Sequence, residues 1–157
     1  MEKYAFLMIK YKTPSFIKEI QNKIDKEDLY YSEDSDVIYG IEKDSHVTVA
    51  PCMDNDTDVS KLKKLLSPLK EYEAFATNIS KFTNDKYDVL KCDIASIPLF
   101  NTNARIKEKH TLHTEFKDYN PHMTIAYVKK GACDNFLKKN FRQINHPETY
   151  KFLVYIL

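Results

Sequence analysis

Two short stretches of the chain carry the same chemistry in the same order. His46-Val47-Thr48-Val49 and His122-Met123-Thr124-Ile125 both read His, apolar, Thr, apolar, and each runs on into an alanine, Ala50 or Ala126. Side chains of a strand alternate between faces, so the His and Thr of each copy share one face while Val47, Val49, Met123 and Ile125 point to the buried side. Each copy therefore presents an imidazole and a hydroxyl together, with stiff apolar anchors behind them. An ordinary imidazole pKa of about 6.5 lets one ring be neutral while another is protonated at the same pH, so a pair supplies a general base and a general acid on opposite sides of a phosphorus atom. Two threonine hydroxyls can donate to the non-bridging phosphate oxygens, where charge must be held during in-line displacement. The candidate catalytic residues are thus His46, Thr48, His122 and Thr124, in a scheme that requires neither metal nor cofactor.

A single His-x-Thr is an ordinary feature of half-buried strands, which are rich in Thr and Val. Two copies with matched flanks, set apart by close to half the chain, are what two pseudo-symmetric lobes facing one groove would produce. Competing devices are poorly supplied. The only glycines are Gly40 and Gly131, which removes the glycine-rich and Walker-type phosphate loops. Cys52, Cys92 and Cys133 are scattered without a C-x-x-C spacing, which argues against a disulfide scaffold or structural zinc and for a reducing compartment. Cys52 lies four residues after Thr48 but has no dedicated base beside it, and reads as a structural thiol. His110 and His113 form an H-x-x-H without a third ligand at convincing spacing, and read as loop or helix-end residues; His146 before Pro147 reads as a turn residue.

The elements that must position the two tetrapeptides follow from hydrophobic periodicity. Residues 4 to 11, YAFLMIKY, suit a buried strand, and Pro14 opens a helix with Phe16, Ile17, Ile20 and Ile24 on one face. Glu33, Asp34 and Asp36 mark a solvated loop, followed by short strands over Val37 to Ile41 and Val47 to Ala50, then an amphipathic helix from Thr57 to Lys70. EYEAFATNISKF and YDVLKCDIA, joined by Thr83-Asn84-Asp85-Lys86, predict a hairpin within residues 72 to 95. A helix from Pro98 to about His110, a polar loop ending in Tyr119-Asn120-Pro121, a strand from His122 to Val128, a short helix from Cys133 to Lys139 and a strand from Tyr150 to Ile156 complete the order. Strands and helices are interspersed without a long parallel series, which favours α+β over doubly wound α/β.

The 157 residues, 43% hydrophobic and 13% aromatic, suffice for one domain with a real core, residues 1–157 forming two small lobes around it. Lys and Arg total 24 against 23 Asp and Glu, a formal charge of +1 that provides no field for duplex DNA but leaves a small anionic ligand open. No apolar run approaches the roughly 18 residues of a membrane span, and no leader pattern opens the chain, so a soluble cytoplasmic protein is expected. The basic stretches Lys61 to Lys64 and Lys138-Lys139 read as solvated helix faces. Eleven tyrosines and nine phenylalanines leave room for base-stacking platforms beside the core. The candidates for substrate binding are Lys10 and Tyr11, at the end of the first strand, and Phe75 in the hairpin, whereas Tyr127 reads as packing.

At HVTV and PHMTIAY the chain resembles the 2H phosphoesterase superfamily, whose signature is two His-hydrophobic-Ser/Thr-hydrophobic motifs, one per lobe of a bilobal α+β fold. The resemblance implies two pseudo-symmetric, mainly antiparallel sheets flanked by helices around a central groove. It also implies that His46 and His122 act as acid and base on a phosphodiester while Thr48 and Thr124 bind the phosphate. Members include RNA 2′,3′-cyclic phosphodiesterases, 2′,5′-oligoadenylate phosphodiesterases and phage anti-CBASS enzymes that linearise cyclic di- and trinucleotide signals. YAFLMIKY, YGIEKDSHVTV and NPHMTIAYVKKG look most like the phage group, which implies a cyclic-oligonucleotide substrate met in the host cytoplasm. One departure stands out: HVTV continues into Ala50-Pro51-Cys52 where a Tyr-Gly-like continuation is expected. RNA 2′,3′-cyclic or 2′,5′-linked phosphodiesters are the alternative substrates, and a sponge that sequesters a cyclic nucleotide uncut is the alternative of another class.

Overall fold

The computed structural model describes residues 4–34, 36–54, 56–144 and 150–155. His146, Pro147 and Ile156 lie outside them. The chain runs β1 (Tyr4–Lys10), α1 (Ser15–Asn22), β2 (His46–Asp54), α2 (Val59–Leu65), β3 (Glu71–Thr83), β4 (Tyr87–Ala95), α3 (Ile97–Lys109), β5 (His122–Lys129), α4 (Ala132–Ile144) and β6 (Tyr150–Tyr155). Among the described residues these form two antiparallel sheets, β1-β2 and β5-β4-β3-β6, the α+β architecture expected from the order of elements. The two sheets are unequal, so whatever symmetry the molecule has resides in the motif strands rather than in strand number.

The hairpin forms where the turn residues place it. Asn84 Oδ1 accepts hydrogen bonds from the backbone N–H groups of Lys86 (2.8 Å) and Tyr87 (2.9 Å), an Asx turn that reverses the chain between β3 and β4. Pro14 caps α1 with φ −60°, and Ile17 on its inner face is fully buried. Ser96 caps α3, its hydroxyl accepting from Leu99 N at 3.5 Å.

Three expectations are corrected. Residues Val37 to Ile41 do not form a strand: only Ile41 bridges, to Ala126, while Val37 and Ile38 remain 52% and 82% exposed. The helix expected over Thr57 to Lys70 is broken, because Pro68 has no N–H to continue the ladder; α2 stops at Leu65 and a separate 3-10 turn, Ser67–Leu69, follows. The last helix is longer than Cys133 to Lys139, running Ala132–Ile144.

One hydrophobic cluster draws on both sheets, with Val47, Val49, Leu90, Cys92, Met123 and Ile125 at or near zero exposure. The helices are exchanged between halves of the chain: α1, from the N-terminal half, lies against β5, while α3, from the C-terminal half, lies against β2. Among the described residues no helix is long and apolar enough to cross a membrane.

Candidate active site

His46 opens β2 and pairs across the ladder with Lys10. Val47 and Val49 are fully buried, which forces His46 and Thr48 onto the opposite face. His122 opens β5 in the same way, pairing with Asp93 of β4, with Met123 and Ile125 as its buried anchors. Thr124 is its companion, set across from Lys91.

The two motifs match in finer detail. His46 Nδ1 lies 2.7 Å from the carbonyl oxygen of Asp44, and His122 Nδ1 lies 2.9 Å from that of Asn120, in each case the carbonyl two residues back. A carbonyl can only accept, so in both rings Nδ1 carries the proton and Nε2 is the atom left to exchange one. In each strand the register slips by one residue immediately after the threonine: β2 skips Val49 between the Met8–Thr48 and Leu7–Ala50 pairs, and β5 skips Ile125 between the Lys91–Thr124 and Leu90–Ala126 pairs. A bulge leaves a carbonyl without its ladder partner, and in both cases a helix side-chain amide reaches it. Asn103 Nδ2 of α3 donates to Val49 O at 2.7 Å, and Gln21 Nε2 of α1 donates to Ile125 O at 3.1 Å. The Tyr119 hydroxyl adds a 2.9 Å bond to Thr48 O. Each motif is thus pinned by a side chain from the other half of the chain.

Burial and neighbouring charges act on His122. Burial lowers the His122 pKa from its ordinary value, more than the Asn120 carbonyl raises it; Lys91 lowers it further, Asp93 raises it, and the charge of His46 lowers it again. The effect of His46 on His122 places the two imidazoles within electrostatic reach of each other. Beside His122 sits a buried cation, Lys91, whose side chain is 7% exposed. Its ammonium bonds Asp93 Oδ1 and, at 2.6 Å, Ser80 Oγ, and stands 4.5 Å from the centroid of Phe82. The Phe82 ring meets His122 edge to face at 4.9 Å.

Thr48 and His122 both line a cavity of about 470 Å³, walled by Phe6, Phe82, Phe116, Leu112, Pro51 and Tyr119. Of the residues expected to bind substrate, none lines it. Lys10 is exposed beside His46 in the ladder and pairs with Asp44 at 3.4 Å. Tyr11 packs against the core, where burial raises its phenol pKa far above the ordinary value. Phe75 sits at the other end of β3, opposite Ala95; the phenylalanine of that strand that reaches the cavity is Phe82. Phe6, Phe82 and Phe116 were not singled out by sequence. Phe6 was readable as the outward-facing alternate of β1, whereas Phe116 sits in a loop with no periodicity to betray it.

The remaining candidates have structural partners. His113 Nε2 lies 2.7 Å from Asp54 Oδ1, and its ring stacks on Tyr4 at 4.8 Å, fixing the loop after α3 to the end of β2. Cys52 takes φ 53°, the left-handed conformation that glycine adopts most easily, at the place where the motif departs from its expected continuation. Tyr127 packs edge-on to Tyr39 (5.3 Å) and Tyr87 (5.7 Å). Among the described residues no three His, Cys, Asp or Glu side chains cluster as metal ligands would.

No family model matches the chain, and no curated protein sequence matches it. Among solved structures, the chain is similar to Kluyveromyces marxianus Usb1 with uridine monophosphate, at 12% identity and a TM-score of 0.53, over 94% of this chain and 90% of that one. At that identity the likeness speaks to architecture, and it agrees with a 2H phosphoesterase-like fold: two antiparallel sheets with helices, and a His-x-Thr strand in each.

Proposed function

We propose that the chain is a 2H-type phosphodiesterase that breaks 3′-5′ bonds of cyclic oligonucleotide messengers, in the manner of phage anti-CBASS enzymes. The observation that carries the reading is the matched pair of imidazoles, each tied at Nδ1 to the carbonyl two residues back and each followed by a threonine. Neutral His122, its pKa held down, accepts the ribose 2′-hydroxyl proton at Nε2 while the 2′-oxygen bonds to phosphorus. The P–O5′ bond breaks and His46, protonated, delivers a proton to the departing 5′-oxygen, giving a 2′,3′-cyclic phosphate and a 5′-hydroxyl. Thr48 and Thr124 donate to the non-bridging oxygens as charge builds. The aromatic cavity beside His122 suits a nucleobase, which stacks on phenyl faces whatever its identity.

A second reading, an RNA-end or 2′,5′-phosphodiesterase, is favoured by the likeness to a structure determined with uridine monophosphate. Product analysis separates the two. The purified protein is incubated with a 3′,3′-cyclic dinucleotide, a cyclic trinucleotide, 2′,5′-oligoadenylate and an RNA bearing a 2′,3′-cyclic end, with EDTA present throughout. Linearised cyclic nucleotide is expected, and His46→Ala or His122→Ala should each lower turnover about 10²- to 10⁴-fold with the fold intact. A fully active His122→Ala variant ends the reading, and recovery of unaltered ligand from the complex replaces it with the sponge.

A further inference from the structure

The two catalytic candidates are equivalent in backbone setting but not in neighbours. Among the described residues, the β5 motif alone has at its side an ion pair with a buried cation, Lys91 being 7% exposed and Asp93 31%, and a buried cation is costly unless it is paired and hydrogen-bonded. Here it is closed into a ring of bonds. Lys91 Nζ donates to Asp93 Oδ1 and to Ser80 Oγ, and the Ser80 hydroxyl donates in turn to Asp93 Oδ2 at 2.8 Å. Asp93 faces His122 across the ladder and Lys91 faces Thr124. The ammonium also stands over the Phe82 ring, and that ring's other neighbour is the His122 imidazole. A structural filler in this position would not need both charges fixed on the same face as the motif.

We propose that Lys91 and Asp93, locked by Ser80, are positioning residues for His122: they hold Phe82 against its ring and fix the balance of charge that the ring feels. Neither touches the scissile bond in this scheme. Removing the cation leaves a carboxylate alone beside His122 and favours the imidazolium; removing the carboxylate leaves the cation alone and disfavours it. The other charged group acting on His122 is His46 of β2, and Lys107 of α3 and Asp118 of the following loop line the same cavity. From β3 the contact is the neutral Phe82, and the neutral Asn84 of the following turn lines the same cavity.

The test is an NMR titration of the His122 ring in the full chain, assigned with His122→Gln, for wild type, Lys91→Met, Asp93→Asn and the double variant. Lys91→Met should raise the His122 pKa and Asp93→Asn should lower it, each by about 0.5 to 1 unit, with the double variant returning close to wild type. Single variants that titrate as wild type, or that shift in the same direction, overturn the proposal. Should Lys91→Met fail to fold, Lys91→Arg, expected to titrate as wild type, and Asp93→Asn decide it. The kinetic consequence rests on the phosphodiesterase reading: the acid limb of kcat/KM should move with the ring. Because the titration needs no substrate, an inactive protein whose ring shifts as expected refutes the phosphodiesterase and leaves the positioning role standing.

Discussion

Asn103 offers the most direct test of how the first motif is held. The residue is 3% exposed and its carboxamide donates a 2.7 Å bond to Val49 O, the carbonyl that the bulge after Thr48 leaves without a ladder partner. Asn103→Leu keeps the volume and removes the donor, so a buried carbonyl is left unsatisfied at a cost of about 1 to 3 kcal/mol. For a chain of this size that corresponds to a fall in Tm of roughly 3 to 10 °C. Asn103→Asp should be worse, since it sets a carboxylate against a carbonyl in a buried site and adds a desolvation penalty. Gln21→Leu is the control: it removes the matching bond to Ile125 O and a 2.9 Å bond to Glu42 O, but Gln21 is only half-buried and Glu42 N also donates to the Ile125 carbonyl at 3.0 Å, so a loss nearer 1 kcal/mol is expected. Urea denaturation with circular dichroism gives all three values. Equal losses for Asn103→Leu and Gln21→Leu, or an Asn103→Leu protein as stable as wild type, would refute the reasoning that burial and the missing partner set the cost.

Further outcomes follow from the same geometry. The folded His122 pKa lies below its unfolded value, so the unfolded chain takes up a proton first as pH falls; stability should hold above about pH 6.5, drop through the ordinary imidazole range and level off once the folded ring is protonated. Denaturation of wild type and His122→Gln across that range checks the sign, since only wild type should show this share of the slope. Gly40 has φ 83° and a Cβ there would meet Tyr31 ring atoms at 2.6 to 2.8 Å; Tyr31 is exposed and can swing aside, so Gly40→Ala should cost about 1 to 2 kcal/mol from backbone strain alone. Burial pushes the Cys92 and Cys133 thiols up to about 12 and both are shielded, whereas Cys52 is half-buried. A thiol reagent at pH 8 should therefore label one cysteine quickly in the native protein and all three after unfolding; rapid labelling of Cys92 would contradict its place in the core.

Much of the scaffold could be read from local pattern, and the reasons for the failures are physical. HVTV and HMTI are strands because alternation and β-branched residues dictate it, and the hairpin follows from Asn84 in its turn. Val37 to Ile41 has the composition of a strand, but pairing depends on a neighbour, and β5 offers an edge that only Ile41 meets as a bridge. The cavity walls were hidden for a related reason: Leu112, Phe116 and Tyr119 lie in a stretch that reads as a polar loop, and its fastening to β2 through the His113–Asp54 contact, the Leu112–Met53 bridge and the Tyr119–Thr48 bond brings them over that strand. Lys91 was the least legible residue of the site. In YDVLKCDIA it looks like the outward position of an alternating strand, and its burial depends on Ser80 and Phe82 across the hairpin and on Asp93 two residues on.

The exchange of helices between halves also bears on how the protein comes into being. His46 and Thr48 are translated early and their strand pairs with β1, yet the side-chain bonds to the carbonyls of Thr48 and Val49 come from Asn103 and Tyr119, which leave the ribosome much later. A nascent chain that ends before them holds the first motif without those bonds, which form only when the C-terminal half closes over residues made long before.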